Sequence, residues 1–214
     1  MSALIDILVV DDHPIVRNGL KQMLSEERDI RVTGEAENGG EMLRLLEERK
    51  IDVIVMDLSL PDRNGLDLLE EVKTRYPEKP VLMLSIHREE HFGSRALKAG
   101  AAGYVNKRTA GRDLIAAIRK VATGGMYISV EMAERLAFKV GGGLSELPHE
   151  SLSEREFQVF CMISEGIKLI DIAKELSLSE TTVSTYRTRI LKKMDMQSDS
   201  ELIRYAVRNC LIED

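Results

Sequence analysis

Over the first 120 or so positions, short apolar runs alternate with stretches of helical spacing, and few folds accommodate that alternation. The runs are Ile5–Val10, residues 53–56 and residues 81–84, with shorter candidates at residues 31–36 and 103–105. Between them, apolar side chains recur every three to four positions: Val16, Leu20, Met23 and Leu24; then Leu68, Leu69, Val72 and Tyr76; then Leu114, Ile118, Val121 and Ala122. Runs that are apolar throughout suit strands covered on both faces, which parallel sheets provide. Strands alternating with helices imply right-handed βαβ units. The expectation for residues 1–123 is an α/β doubly wound, flavodoxin-like domain with a five-stranded parallel sheet.

The texture changes at Gly124-Gly125. A short amphipathic piece, residues 129–140, leads into Gly141-Gly142-Gly143 and then Leu147-Pro148. Three consecutive glycines impose no single conformation, so residues 124–149 read as a linker with a short helix and a hinge. From 150 to 214 the pattern is helical, and N-terminal signals repeat. Ser153-Glu154-Arg155-Glu156 and Ser198-Asp199-Ser200-Glu201 both have capping-box spacing, and Ser179 is a further N-cap candidate. Four apolar stripes follow these starts, so a four-helix all-α domain is expected.

Bulk properties narrow the function. No run reaches the 18 or more apolar residues of a membrane span, and the first residues lack a basic region and cleavage site, so no membrane partner and a cytoplasmic location are expected. The two cysteines, Cys161 and Cys210, lie in helical patterns and read as small core residues, not as a disulfide or metal framework. The four histidines show no paired metal-ligand spacing. A net charge of −6 excludes indiscriminate coating of nucleic acid, which needs a basic field.

Parallel sheets bind ligands beyond the carboxyl ends of their strands. There this sequence places Asp11 and Asp12 after the first run, Asp57 after the third, Ser85 after the fourth and Lys107 after the fifth. Any one of these has a plain reading, since Asp11-Asp12 before Pro14 could cap a helix and Asp57 could belong to a loop. The set is harder to explain so simply. Three clustered carboxylates repel one another unless a cation compensates, and Mg²⁺ takes one or two carboxylates while keeping positions for water or phosphate oxygens. A central carboxylate held ionised can attack phosphorus, with Lys107 and the Ser85 hydroxyl balancing charge on the transferred group.

The segments Ile7-Leu8-Val9-Val10-Asp11-Asp12-His13, Met56-Asp57-Leu58-Ser59-Leu60-Pro61 with Gly65, Met83-Leu84-Ser85 and Gly103-Tyr104-Val105-Asn106-Lys107 resemble the receiver domain of two-component response regulators. The resemblance implies that Asp57 is the phosphoacceptor. It further implies that Asp12, Asp57 and the Ser59 carbonyl bind the metal, that Asp11 supports it through water, and that Ser85 and Tyr104 are switch positions. One departure is Arg108, where many receivers carry proline.

Near the C-terminus, residues 169–176 and 181–194 read as two helices joined by a tight turn, the arrangement of a helix-turn-helix. Residues 150–214 carry 9 basic and 12 acidic side chains, a net of −3, yet Thr181 to Lys193 contains Arg187, Arg189, Lys192 and Lys193 and no acid. Positive charge gathered on one helix of an acidic domain suits docking of that helix against phosphates. With Val183, Tyr186, Ile190 and Met194 inward, the other face presents Thr181, Ser184, Thr185, Thr188 and Lys192 to base edges and backbone. Leu152-Ser153-Glu154-Arg155-Glu156, Gly166, Asp171-Ile172-Ala173, Leu176, Leu178-Ser179, Thr182-Val183 and Arg187 resemble the output domain of the NarL/FixJ and LuxR families. Ser184 departs from the usual lysine, and Tyr186 from the common histidine.

The combined resemblance implies a transcriptional regulator rather than an enzyme with turnover. A sensor histidine kinase phosphorylates Asp57, the helix-turn-helix domain is released and forms a homodimer on double-stranded promoter DNA, RNA polymerase is a further partner, and slow self-dephosphorylation resets it. The competing expectations are a carboxylate-nucleophile phosphatase, which leaves the tether and helix-turn-helix unused, and a DNA-binding regulator that works without phosphorylation.

Overall fold

The computed structural model describes residues 4–85, 89–107, 110–130, 132–134, 137, 147–176, 178–209 and 211–212. The chain divides into two compact units, Met1–Gly141 and Gly142–Asp214. The expected hinge glycines at 141–143 and Cys210 lie outside the described residues, as does much of the amphipathic piece at 129–140.

In the first unit, strands β1 (Ile5–Val10), β2 (Ile30–Ala36), β3 (Val53–Asp57), β4 (Val81–Ser85) and β5 (Gly103–Asn106) alternate with helices α1 (Pro14–Ser25), α2 (Gly39–Glu48), α3 (Gly65–Arg75), α4 (Glu89–Lys98) and α5 (Ala110–Ala122). The sheet is parallel, in the order β2-β1-β3-β4-β5, so the chain direction across the sheet reverses between β1 and β3. Pleating sends alternate residues to opposite faces. Ile7, Val9, Val53, Val55, Leu82 and Leu84 thus pack with Leu20 and Leu24 of α1 and with Leu114, Ile118 and Val121 of α5 in one buried cluster. β3 and β4 are buried along their whole length, as their unbroken apolar sequence requires.

Two helices fall outside the stretches expected to be helical, although α2 carries a stripe of its own in the buried Met42, Leu45 and Leu46. α2 opens on Gly39-Gly40, a pair that reads as a turn, and it is started instead by Asn38, whose side chain accepts from the Glu41 N–H at 2.9 Å. Among the described side chains of α4, Phe92 and Ala96 are the buried apolar ones. Past α5, Tyr127 donates its N–H to the Ala102 carbonyl at 2.9 Å and forms a parallel bridge with Gly103, so a few residues beyond position 123 extend the β5 edge.

The second unit holds a 3₁₀ turn (Pro148–Ser151) and helices α6 (Glu154–Ser164), α7 (Leu169–Glu175), α8 (Glu180–Lys193) and α9 (Asp199–Arg208). Ser153 and Glu156 form the expected reciprocal capping box. Gly166, at φ +79, ends α6 in the left-handed region, where a side chain is strained. Ser179 caps α8 by accepting from the Thr182 N–H at 3.1 Å. The expected box at Ser198 is absent: that side chain makes no capping bond, and Glu201 accepts from the Gln197 N–H at 2.8 Å, one residue further out. Phe157, Phe160, Ile172, Val183, Ile190, Leu202 and Ala206 fill the core, and Cys161 is buried among them as a small apolar group.

Candidate functional site

Strands β3, β4 and β5 each run one residue further than their apolar sequences, and this extension builds the site. Asp57, Ser85 and Asn106 are the last residues of β3, β4 and β5. Their register is fixed by the ladder: Val10 lies opposite Met56, Asp57 opposite Leu84 and Ser85 opposite Asn106. Asp11 therefore emerges beside Asp57 at the β1/β3 reversal, where doubly wound sheets bind ligands. A backbone bond from the Lys107 N–H to the Ser85 carbonyl, 2.7 Å, places the ammonium over the same edge.

Lys107 Nζ donates to Asp57 Oδ2 at 2.7 Å and lies 2.6 Å from Asp11 Oδ2. Asp11 is 1% exposed and Asp57 4%. Burial pushes the Asp57 carboxyl up to about 6, with the Lys107 charge and hydrogen bond opposing that rise and the Asp11 charge adding to it. At neutral pH the group is still mostly ionised. Burial works against the Lys107 charge, but the two carboxylates outweigh it and hold the ammonium above its ordinary range. The arrangement is one cation shared between two buried anions, with Asp12 at the rim.

The loops are held by neighbouring backbone. Asn64 caps α3 by accepting from the Leu66 N–H at 2.8 Å, while Asp62, the other cap candidate, reaches across to accept from Gly39 and Gly40 at the start of α2. Gly65 has no room for a side chain, since a Cβ would sit 2.7 Å from the carbonyl oxygens of both Asp57 and Leu58. The glycine lets the β3–α3 loop fold back against the end of β3, where Ser59 and Asn64 pair. Tyr104, one strand over, is 1% exposed, its ring inside the unit. Arg108 lies outside the described residues.

Two residues at this site carried no expectation in the sequence. Arg17 is buried on α1; it donates to the Asp11 carbonyl at 2.6 Å and to Glu37 Oε1 at 2.5 Å, tying the β1–α1 loop to the end of β2. Its position three residues before Leu20, on the apolar face, was the available signal. His13 lies with Asp11, Asp12 and Asp57 in a group whose potential ligand atoms are all within 4.8 Å of one another.

The residues fit a hard cation. Asp11 Oδ2 and Asp12 Oδ1 are buried anionic oxygens that turn to the same edge, the first met by Lys107 Nζ at 2.6 Å and the second by the His13 ring nitrogen at 2.7 Å. Three carboxylates within reach of one point, with a single ammonium between them, are the kind of hard oxygen donors that Mg²⁺ coordinates.

In the second unit, α7 and α8 are the two helices of the expected helix-turn-helix. Val183, Ile190 and Met194 are buried, Tyr186 is half-buried, and Thr181, Ser184, Thr185, Thr188, Arg189, Lys192 and Lys193 are exposed. Two of the four cations are already engaged within the unit. Arg187 Nε donates to Asp199 Oδ1 at 2.7 Å, and Lys193 Nζ to Glu156 Oε2 at 2.6 Å. Thr185 and Thr188 donate their hydroxyls to the carbonyls of Thr181 and Ser184, leaving their methyl groups as the outward chemistry.

Residues 7–119 match the response regulator receiver domain, and residues 150–206 match the bacterial regulatory proteins of the luxR family. The response regulator UvrY of Escherichia coli is 35% identical, with 97% of this chain and 96% of UvrY covered. The response regulator GacA of Pseudomonas aeruginosa is 38% identical, with 98% and 99% covered. Among solved structures, the RcsB response regulator of Salmonella typhimurium matches with a TM-score of 0.71 at 25% identity over 99% of this chain and all of its own. A receiver and a luxR-type helical unit in one chain, together matching these relatives end to end, define the family: the protein is a DNA-binding transcriptional response regulator of a two-component system, of the NarL/FixJ type.

Proposed function

We propose that Asp57 accepts a phosphoryl group from a sensor histidine kinase and that the modified protein binds promoter DNA as a homodimer through α8. The observation that carries this is Asp57 itself, a buried strand-end carboxylate held at 2.7 Å by an ammonium that also balances Asp11. A carboxylate oxygen of Asp57 attacks phosphorus, the P–N bond to the donor imidazole breaks, and the acyl phosphate forms on the aspartate. Lys107 stays with the charge developing on the group, and Ser85, at the adjoining strand end, supplies a hydroxyl for one of its oxygens. Tyr104, buried on β5, serves as the second switch position. Asp12, Asp57 and the Ser59 carbonyl would hold a Mg²⁺, with Asp11 supporting it through water, and the ion when bound would supply charge neutralisation for the incoming phosphoryl oxygens.

Modification adds about −1.5 to −2 charge beside Lys107 and so changes the balance that orders this edge. No turnover of an external substrate is part of this role; the acyl phosphate hydrolyses slowly at the same site. The output face is Thr181, Ser184, Thr185, Thr188, Arg189 and Lys192, with Arg187 and Lys193 at its margins. RcsB has been solved bound to promoter rprA in the presence of the phosphomimetic BeF₃⁻, at a TM-score of 0.65 and 26% identity to this chain, which supports the same coupling here. RNA polymerase completes the set of partners for a promoter-bound regulator in the cytoplasm.

Asp57→Asn keeps the shape of the site and removes the nucleophile. In footprinting with a small acyl-phosphate donor, the wild-type protein should gain DNA affinity and the variant should not. An equal gain in the variant would disprove phosphorylation at Asp57 as the trigger.

A further inference from the structure

The cation reading of the Asp11–Asp57 pocket leaves one of its neighbours without a task. His13 is the N-cap of α1, yet its side chain makes no capping hydrogen bond, and the helix starts on Pro14 instead. The backbone N–H of His13 is committed, donating to Asp11 Oδ1 at 2.8 Å. Its ring is 65% exposed and turns back toward the carboxylates, with Nδ1 2.7 Å from Asp12 Oδ1 and 3.4 Å from Asp11 Oδ1. A ring nitrogen of His13 and one oxygen each of Asp11, Asp12 and Asp57 all lie within 4.8 Å of one another. Atoms that close can share one ion at ordinary coordination distances of about 2.0–2.6 Å.

We infer that His13 is a nitrogen ligand of this pocket and that it sets the preference for a divalent ion of the first transition row over Mg²⁺. The inference rests on the proposed cation site and assigns its selectivity. Mg²⁺ takes oxygen ligands and gains little from an imidazole, whereas Mn²⁺ and its heavier neighbours accept nitrogen readily, with affinity rising along the row. Ring exposure gives the ion a path in from solvent. Because His13 borders the aspartates in sequence and its backbone is pinned to Asp11, the ring needs only a side-chain rotation to exchange its Asp12 contact for the ion.

The test uses the full chain with Mn²⁺ as probe, read by pulsed electron paramagnetic resonance, which reports ¹⁴N coupled to the bound ion, and by calorimetric titration. Wild-type protein should show imidazole ¹⁴N coupling. His13→Phe and His13→Ala should lose it and bind Mn²⁺ at least about tenfold more weakly, in the range by which partners of metal ligands act. Mg²⁺ affinity should change by no more than about twofold in both variants, as expected for an oxygen-only ion. The chain has four histidines, so loss of coupling in these two variants is what assigns the nitrogen to His13. Circular dichroism checks that both fold. Bound Mn²⁺ without nitrogen coupling, or coupling that survives both variants, overturns the role of His13 while leaving the cation site standing. Failure of Mn²⁺ to bind at all, with Asp12→Ala behaving as wild type, overturns both.

Discussion

The two units handle positive charge in opposite ways. In the receiver, Lys107 is mostly buried and shared between two carboxylates that are themselves enclosed, at 2.6 and 2.7 Å. On α8, cations sit at the surface, two of them lent to partly exposed or capping carboxylates and two facing solvent. A buried ion that loses its partner keeps its desolvation cost, whereas a surface ion is taken over by water. The receiver is thus arranged so that a change of charge at one oxygen alters stability, and α8 so that Arg187, Arg189 and Lys192 can change partners cheaply while Lys193 stays with the buried Glu156. Input and output need these separate properties.

The largest test of that contrast is Lys107→Met. It leaves Asp11 and Asp57, at 1% and 4% exposure, without their cation. Receiver stability should fall by about 3–5 kcal/mol, as when one partner of a buried pair is removed. Thermal unfolding followed by circular dichroism in EDTA measures it. Lys192→Met, a cation of α8 in the open, should shift its unit by no more than about 0.5 kcal/mol. Equal losses in the two variants would erase the distinction.

Acid should separate the units by sign. Burial raises the Asp57 carboxyl from its ordinary 3.8 to about 6 despite Lys107, so the folded receiver holds that proton more tightly than the unfolded chain. The resulting stabilisation is complete below about 3.8 and is lost as pH rises through about 6. At about 1.4 kcal/mol per pH unit, the loss by pH 8 in EDTA comes to about 3 kcal/mol. Asp57→Asn should remain flat over that range and be the more stable protein at pH 8. Glu156 behaves in reverse. Burial would raise it, but the Lys193 hydrogen bond and the Ser153 cap hold it below its ordinary 4.5. Its contribution is present above 4.5 and lost as pH falls through the lowered value. Urea midpoints for each unit's transition, followed from pH 8 down through both windows to about pH 2, would expose a shared slope if the contrast were wrong.

Reading the sequence succeeded where one residue type serves one burial pattern. The apolar runs gave five strands in the right places because a doubly covered strand tolerates little else. Asp11, Asp12, Asp57, Ser85 and Lys107 followed from strand ends, since sheet geometry carries distant positions to a common edge. α2 and α4 escaped notice for different reasons: the Gly39-Gly40 opening disguises an α2 whose Met42, Leu45 and Leu46 form an apolar stripe behind the Asn38 cap, and α4 offers Phe92 and Ala96 as its buried apolar side chains. Arg17 was hidden by its type: a guanidinium on an apolar face shows its purpose only when the Asp11 carbonyl and Glu37 are seen around it. Likewise, nothing in the spacing of Arg187 and Asp199, 12 positions apart on separate helices, says that they meet.

That last pair offers the finest test. Arg187 and Asp199 are 32% and 41% exposed, so their contact at 2.7 Å adds little to stability, and Asp199→Asn should cost no more than about 0.5 kcal/mol. The change matters for α8, because the guanidinium is then free to turn toward a phosphate. One added phosphate contact releases one more counterion, so the slope of log affinity against log salt should steepen by about 0.9. Fluorescence anisotropy on a promoter duplex across a salt series reads this directly. A steeper slope with unchanged melting shows that a surface ion pair can tune DNA binding while leaving the fold alone, which the buried Lys107 pair cannot do. An unchanged slope would mean that Arg187 does not reach the backbone, and that Arg189 and Lys192 carry the phosphate contacts of this helix.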